Sequence, residues 1–178
     1  MKKALLIITV ASFFSGCSGL LKDKVLKDPG KNFQISIPAS WKTMTDLSED
    51  ADIQAGNSIE GKYLMVYIEK KEDFADFNDL DGYAALTLKN WTSRAGDITT
   101  EKHEELTIDG MKAKSFFVND SDKGTLFRNI VTFIESDTFF VQVVIYSERS
   151  KFDNYLKEFK KVSGTFKKIV PTESKTEK

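Results

Sequence analysis

IDGMKAKSFFVNDSDKGTLFRNIVTFIESDTFFVQVVIY, Ile108 to Tyr146, holds three extended apolar runs broken by short polar turns. Asp109-Gly110 before MKAKSFFVN is a strong hairpin signal, because such a tight turn needs residues that tolerate positive φ. The polar turn DSDKG leads into TLFRNIVTFIE, and Ser136-Asp137 leads into TFFVQVVIY. These last two runs are the most apolar and belong at the centre of a sheet. Turns this short impose antiparallel pairing, since parallel neighbours need long crossovers.

Working outward, DITTEKHEELTID on the N-terminal side reads as a further, more exposed strand. Before it the spacing changes to the helical period: Leu80, Tyr83, Ala84, Leu88, Trp91 and Ala95 fall on one stripe, with Asp79 as a cap. KYLMVYIEK is apolar on both faces, Tyr63, Met65 and Tyr67 against Leu64, Val66 and Ile68, and predicts an inner strand. Residues 44 to 61 are polar and read as irregular. FQISI puts Phe33, Ile35 and Ile37 on one face and is ended by Pro38, with Trp41 just beyond. On the C-terminal side, Phe152, Tyr155, Leu156, Phe159 and Val162 make a second helical stripe that Ser150 is expected to cap. The order is strand, strand, helix, four strands and helix, which predicts α+β: an antiparallel β-sheet flanked by helices.

NFQISIPASW, Asn32 to Trp41, resembles the opening of PsbP-like domains: an alternating strand, a Pro and a Trp. IDGMKAKSFFV at Ile108 to Val118 and the later march of elements are similar too. The resemblance covers about residues 32 to 170 and extends to bacterial DcrB-like lipoproteins and a eukaryotic Ran-binding family. It implies an α/β/α sandwich used mostly as a non-catalytic accessory or binding module that docks onto larger assemblies, photosystem II in the plant case. It brings no catalytic motif and transfers no partner.

Met1-Lys2-Lys3 followed by ALLIITVASFF has the basic start and short apolar run of a secretory signal. That run makes only about 16 Å of helix, short of the roughly 30 Å hydrocarbon core, so it is no transmembrane anchor in its own right. Phe-Ser-Gly-Cys, ending at Cys17, resembles the lipobox of bacterial lipoproteins, with Phe14 replacing the usual Leu. The resemblance implies cleavage before Cys17, a diacylglyceryl thioether on its sulfur and an acylated amine, palmitate being the expected acyl chain. Several acyl chains, at about 0.8 kcal/mol per buried methylene, outlast the marginal hold of one. The competing reading is an ordinary cleaved signal with a cysteine nearby. Domain boundaries are thus expected at 1–16 for the signal peptide, 17–31 for the lipidated Cys and linker, 32–170 for the PsbP-like domain and 171–178 for a disordered tail. The linker residues from Ser18 to Lys31, fully extended, span at most about 50 Å.

Cys17 is the only cysteine, so lipidation leaves neither a catalytic thiol nor a disulfide. The chain carries 26 basic and 27 acidic residues, and cleavage removes two lysines and no acid, leaving 24 against 27. That balance gives no electrostatic case for nucleic acid. Only three Pro and ten Gly argue for a packed domain over a long disordered chain.

His103 in EKHEEL is the only histidine and is expected to be solvent-facing; with one carboxylate beside it, it lacks the ligands of a structural zinc. The acids of EDFADFNDLDG invite calcium, with Asp76, Asp79 and Asp81 as weak candidates, yet their spacing misses an EF-hand loop and a solvated face explains them. Asn119, Asp120 and Asp122 before Gly124 invite the same reading, against which a hairpin turn competes. Trp41 and Trp91 are expected in the core, with a ligand groove as the alternative. KEFKK with Lys167 and Lys168 makes the last helix basic outside, for a solvated face or for anionic head groups. No Gly-x-Ser-x-Gly elbow and no phosphate loop occurs, so no enzyme, metal or cofactor is expected.

The expected function is a membrane-anchored, non-catalytic binding or accessory lipoprotein of the bacterial cell envelope, held by lipid on Cys17 and acting on an envelope protein. Ser18 after Cys17 would in a Gram-negative host favour sorting to the periplasm-facing outer membrane; in a Gram-positive host the protein would sit on the outer face of the plasma membrane. The alternatives are a ligand- or calcium-binding carrier and, further off, a hydrolase.

Overall fold

The computed structural model describes residues 22–74, 79–94 and 98–170, with backbone alone at 94, 102 and 103. The expected signal, Cys17, the tail, Asp76 and Ala95 lie outside the described residues. The N-terminal half contains β1 (Lys24–Lys27), β2 (Phe33–Ile37), β3 (Lys42–Thr43), β4 (Ile53–Asn57), β5 (Lys62–Lys70) and α1 (Leu80–Arg94). The C-terminal half contains β6 (Thr99–Ile108), β7 (Met111–Asp122), β8 (Thr125–Glu135), β9 (Phe139–Glu148), α2 (Arg149–Ser163) and β10 (Lys167–Lys168).

The strand run from β6 to β9 forms an antiparallel meander, as its short turns require. Asp109 and Gly110 both have positive φ, 51° and 78°, and so do Lys123 and Gly124, 49° and 84°. Both loops are therefore mirror-image two-residue turns that match the strand twist. The polar turn shrinks to Lys123-Gly124, because β7 and β8 stay paired out to Asp122 and Thr125. β5 pairs antiparallel with β9, giving a seven-stranded sheet in the order β3-β4-β5-β9-β8-β7-β6. β9 and β8 lie inside it, with α2 over one face and α1 over part of the other.

Alternation along those strands serves two cores. Ile130, Ile134, Val141, Val143 and Ile145 point to one face, with Phe152, Phe159 and Val162 of α2. Val131, Phe133, Phe140 and Val144 point to the other, with Leu80, Tyr83 and Ala84 of α1. Each buried aromatic or branched side chain is worth about 1.5–3 kcal/mol, so neither helix has a face to spare. Asp79 caps α1 as expected: its Oδ1 accepts the Gly82 N–H at 2.8 Å. A second, three-stranded sheet, β1-β2-β10, lies on the α2 side, where Phe33, Ile35, Ile37 and Trp41 join that core.

Several expectations need correction. Ser150 does not cap α2; the helix starts at Arg149 with Glu148 in the cap position and no side-chain cap bond. β9 runs straight into the helix there, so Ser150 already sits in its first turn. Residues 44 to 61 are not irregular throughout, because Ile53 and Ala55 are buried in the α2-side core and draw β4 into the sheet. The polar leader is also structured in its second half: β1 pairs with β2, from Lys24 opposite Ile37 to Lys27 opposite Gln34. Leu26 packs on the core, and the buried Asp28 accepts the Phe33 N–H at 2.6 Å.

Candidate functional site

α1 is 15 residues long, about 22 Å, and covers only part of its face of the sheet. Beyond its last turn the face is paved by Tyr63, Met65 and Tyr67 of β5, Tyr146 of β9 and Phe127 of β8, all half-buried. Tyr63 and Tyr146 are direct cross-strand partners with rings stacked 5.1 Å apart at 28°, and Phe127 meets Tyr146 edge-on at 5.9 Å. Trp91, in the last turn of α1, and Leu47, in the loop between β3 and β4, wall this aromatic floor. The result is an open groove, whose cavities of about 480, 340 and 550 Å³ share Tyr67 and Trp91, then Phe127 and Tyr146.

The wall contributed by residues 45–52 is fixed from below by Gln54. Its Oε1 accepts the N–H groups of Leu47 at 2.8 Å and Ser48 at 3.2 Å, and its Nε2 donates to the Ser48 carbonyl at 2.7 Å. A buried amide must have its hydrogen bonds made, and Gln54 makes them to this loop. Asp52 adds a second clamp, accepting the Ile68 N–H at 2.8 Å; burial pushes its carboxyl above the ordinary range, against the pull of that bond.

At one end of the groove, the Tyr83 hydroxyl donates to Glu69, while Gln142 Nε2 donates to Glu69 Oε2 and to the Tyr83 oxygen, each at 2.8 Å. Burial first, then the Glu69 carboxylate, pushes the Tyr83 hydroxyl far up. Midway lies Asp120. Burial raises its carboxyl above the usual range despite a bond from Asn129, and its buried Oδ1 has no hydrogen-bond partner among the described residues. Tyr146 is pushed up to about 12, by burial first, then by Tyr63, Tyr67 and the carboxylates of Asp120 and Asp46. Both phenols are therefore neutral at pH 7; Tyr83 is buried with its O–H spent on Glu69, and Tyr146 offers an O–H and a ring face, not a base. The groove is built for contact: aromatic surface below, carboxylates around it.

Of the residues singled out by sequence, Trp41 is core, fully buried beside Phe159, with its Nε1 donating to Glu158 Oε1 at 3.1 Å. Trp91 is half-buried and lines the groove instead. Asp79 is occupied as the cap of α1, and Asp81 pairs with Lys114. Asn119, Asp120 and Asp122 belong to β7 rather than to a turn. Asp120 faces the groove, and Asn119 donates to Thr99 Oγ1 at 3.1 Å. The backbone of His103 lies in β6 where the pairing with β7 is irregular. Lys161 pairs with Asp23 and Lys168 with Asp137, both at 3.3 Å, on the surface. Sequence reasoning missed Gln54, Glu69 and Gln142 as site residues; only their places on strands could have raised them.

No family model matches the chain, and no curated protein is similar to it in sequence. Solved structures are similar to it in fold. CyanoP, the cyanobacterial PsbP protein of Synechocystis sp. PCC 6803, superposes with a TM-score of 0.63 at 15% identity, over 86% of this chain and 96% of that one. LpqN of Mycobacterium tuberculosis, described as involved in cell envelope biogenesis, gives 0.55 at 10% identity, over 84% and 91%. A Bacteroides thetaiotaomicron protein gives 0.51 at 12%, over 83% of this chain and 49% of its own. The fold is PsbP-like α+β. Among the described residues, no helix is long and apolar enough to cross a membrane.

Proposed function

We propose that this chain is a lipid-anchored, non-catalytic accessory module of a bacterial cell envelope, tethered through Cys17 and binding a partner protein in the groove beside α1. The observation that carries the reading is the groove floor: Tyr63, Tyr67, Phe127 and Tyr146 form a half-buried aromatic surface that the protein's own helix leaves open. Aromatic side chains at such a surface are the usual anchors of protein recognition. The envelope setting is supported by the N-terminal lipobox-like sequence and by the fold shared with LpqN, a protein described by its role in envelope biogenesis.

Six residues lie between Cys17 and Lys24, where β1 begins, a span of at most about 25 Å. A tether that short confines the groove to a thin layer of solution and raises its effective concentration toward anything else in that layer.

Two measurements test the halves separately. Cys17→Ala should move the protein from the membrane to the soluble fraction, with the thioether mass absent; continued sedimentation with membranes refutes the anchor. Crosslinking in intact cells should capture a discrete partner that Tyr146→Ala loses while the variant stays folded. A partner captured equally by the variant refutes the groove as the binding site.

A further inference from the structure

The groove has a charge character that its aromatic floor alone does not require. Its three cavities are lined by Asp46, Asp50, Glu69, Asp120, Asp122 and Glu148 and, among the described residues, by no Lys, Arg or His. Elsewhere on the molecule acids and bases interleave: Lys62, Lys71, Lys114 and Lys160 each have a carboxylate partner. Among these six acids, only Glu148 has a salt bridge within the described residues, to Lys151 at 3.1 Å. Asp120 and Asp46 both act on Tyr146, so their fields converge on the aromatic floor.

The groove is also long. From Tyr63 to Glu69 it follows six residue steps of β5, about 20 Å at roughly 3.3 Å per step. An extended chain of about six residues has that length. Its carboxylates are spread along the groove, Glu148 and Asp46 at one end, Asp120 and Asp122 midway, Asp50 and Glu69 at the other. Among the described residues no three potential ligands gather closely enough to hold a metal ion. The floor is the face of a sheet, not an edge, so a guest is gripped through side chains and not by adding a strand.

We propose that the groove takes an extended basic peptide segment of the partner, its Lys or Arg stems lying on Tyr63, Tyr67 and Tyr146 and their cationic heads meeting Asp46, Asp120 and Glu69. This deepens the binding role proposed above and rests on it. The physics has two parts. Ammonium and guanidinium groups are attracted to the faces of Tyr and Trp, and their aliphatic stems prefer an apolar bed to water. Carboxylates that lack a cationic partner around a partly desolvated floor gain most from one, since the low local dielectric strengthens the new pair. An acidic or nucleic-acid partner would meet repulsion at each step along the groove.

The test uses the full chain in detergent micelles and three end-capped, fluorescein-labelled hexapeptides: Lys-Ala-Lys-Ala-Lys-Ala and its versions with Gln or Glu for Lys. Anisotropy gives affinity, and Trp91 emission reports occupancy because Trp41 is buried. The Lys peptide should bind at least tenfold more tightly than the Gln peptide, shift the Trp91 emission and weaken with added salt. Asp46→Asn with Asp120→Asn should lower its affinity at least tenfold, whereas Asp137→Asn, an exposed acid elsewhere, should leave it unchanged. Equal binding of Lys and Gln peptides, lost on Trp91→Ala, would overturn the cationic preference while leaving the groove as the binding surface. Lys-peptide binding indifferent to the paired Asp changes, no binding of any peptide, or spermidine binding without peptide binding would each overturn the proposal.

Discussion

Lys62 Nζ lies 2.8 Å from Glu158 Oε1, the same oxygen that accepts the Trp41 indole N–H at 3.1 Å. The lysine side chain is only 5% exposed and also meets Glu60 Oε2 at 2.6 Å and the Tyr155 ring at 4.7 Å. One oxygen of α2 thus ties β5 and the Trp41 region together. Glu158→Ala should cost about 2–3 kcal/mol, less than the roughly 3–5 kcal/mol of orphaning a fully buried charge, since Glu60 remains. Glu158→Gln keeps an acceptor for Trp41 and should cost less. Urea denaturation of both variants checks the order.

A second prediction concerns turn chemistry. Lys123 occupies a left-handed conformation, φ 49°, at the first central position of a mirror-image turn. Asn is at ease there and Lys is not. Lys123→Asn should stabilise by about 0.5–1 kcal/mol, raising Tm by roughly 1–4 °C. Gly110→Ala, at φ 78°, should destabilise by about 1 kcal/mol.

Removing β1 should be costly, although its sequence reads as linker. A chain starting at Asn32 loses the Leu26 contact, the Lys24 Nζ bond to the Trp41 carbonyl at 2.8 Å and the Asp28 bond to the Phe33 N–H. Against a chain starting at Lys22, it should melt lower by about 6–12 °C, corresponding to about 3 kcal/mol.

Asp120 sets function against stability. Its folded-state carboxyl is raised, chiefly by burial, so ionisation at neutral pH costs the native state more than the unfolded chain. Asp120→Asn should therefore raise Tm at pH 7, by about 1–3 °C, and the advantage should vanish as pH falls below the carboxylate range. The same change weakens peptide binding if the groove takes cations.

Alkaline pH should unfold the domain for a related reason. Burial and Glu69 raise Tyr83, burial first of all raises Tyr146 to about 12, and bonds from Glu158 and Glu60 raise Lys62 against its desolvation. Above about pH 10 unfolded tyrosines lose protons that the folded ones keep, so stability falls. The Lys62 contribution, complete below its unfolded pKa, is lost as pH rises through the raised folded value. Tm should stay flat from pH 7 to 9 and then drop, with a shallower drop for Tyr83→Phe.

The β5–β9 sheet and both helices were legible because their periodicity is strong and the turns before β7 and β8 carry Gly at the positions that demand it. β1, β3, β4 and β10 were not. β4 reads IQAGN, poor in strand formers, and is held by neighbours distant in sequence: Ile53 opposite Val66, and Gln54 bound to the loop above. The groove was hidden for another reason. Tyr63, Met65 and Tyr67 read as one face of an inner strand, which they are, but periodicity says nothing of how far α1 extends over that face. Trp91 left the core for the same cause.

The strand nearest the tether lies on the α2 side of the large sheet, and the groove opens on the α1 side. If Cys17 is the anchor proposed above, it would pull from behind, and the aromatic floor would look away from the bilayer. Two packed layers, about 10 Å apart each, separate the two surfaces. A guest would dock at arm's length from the lipid, arriving from the water or from an ectodomain tall enough to reach, and a receptor flush with the head groups would find only the molecule's back.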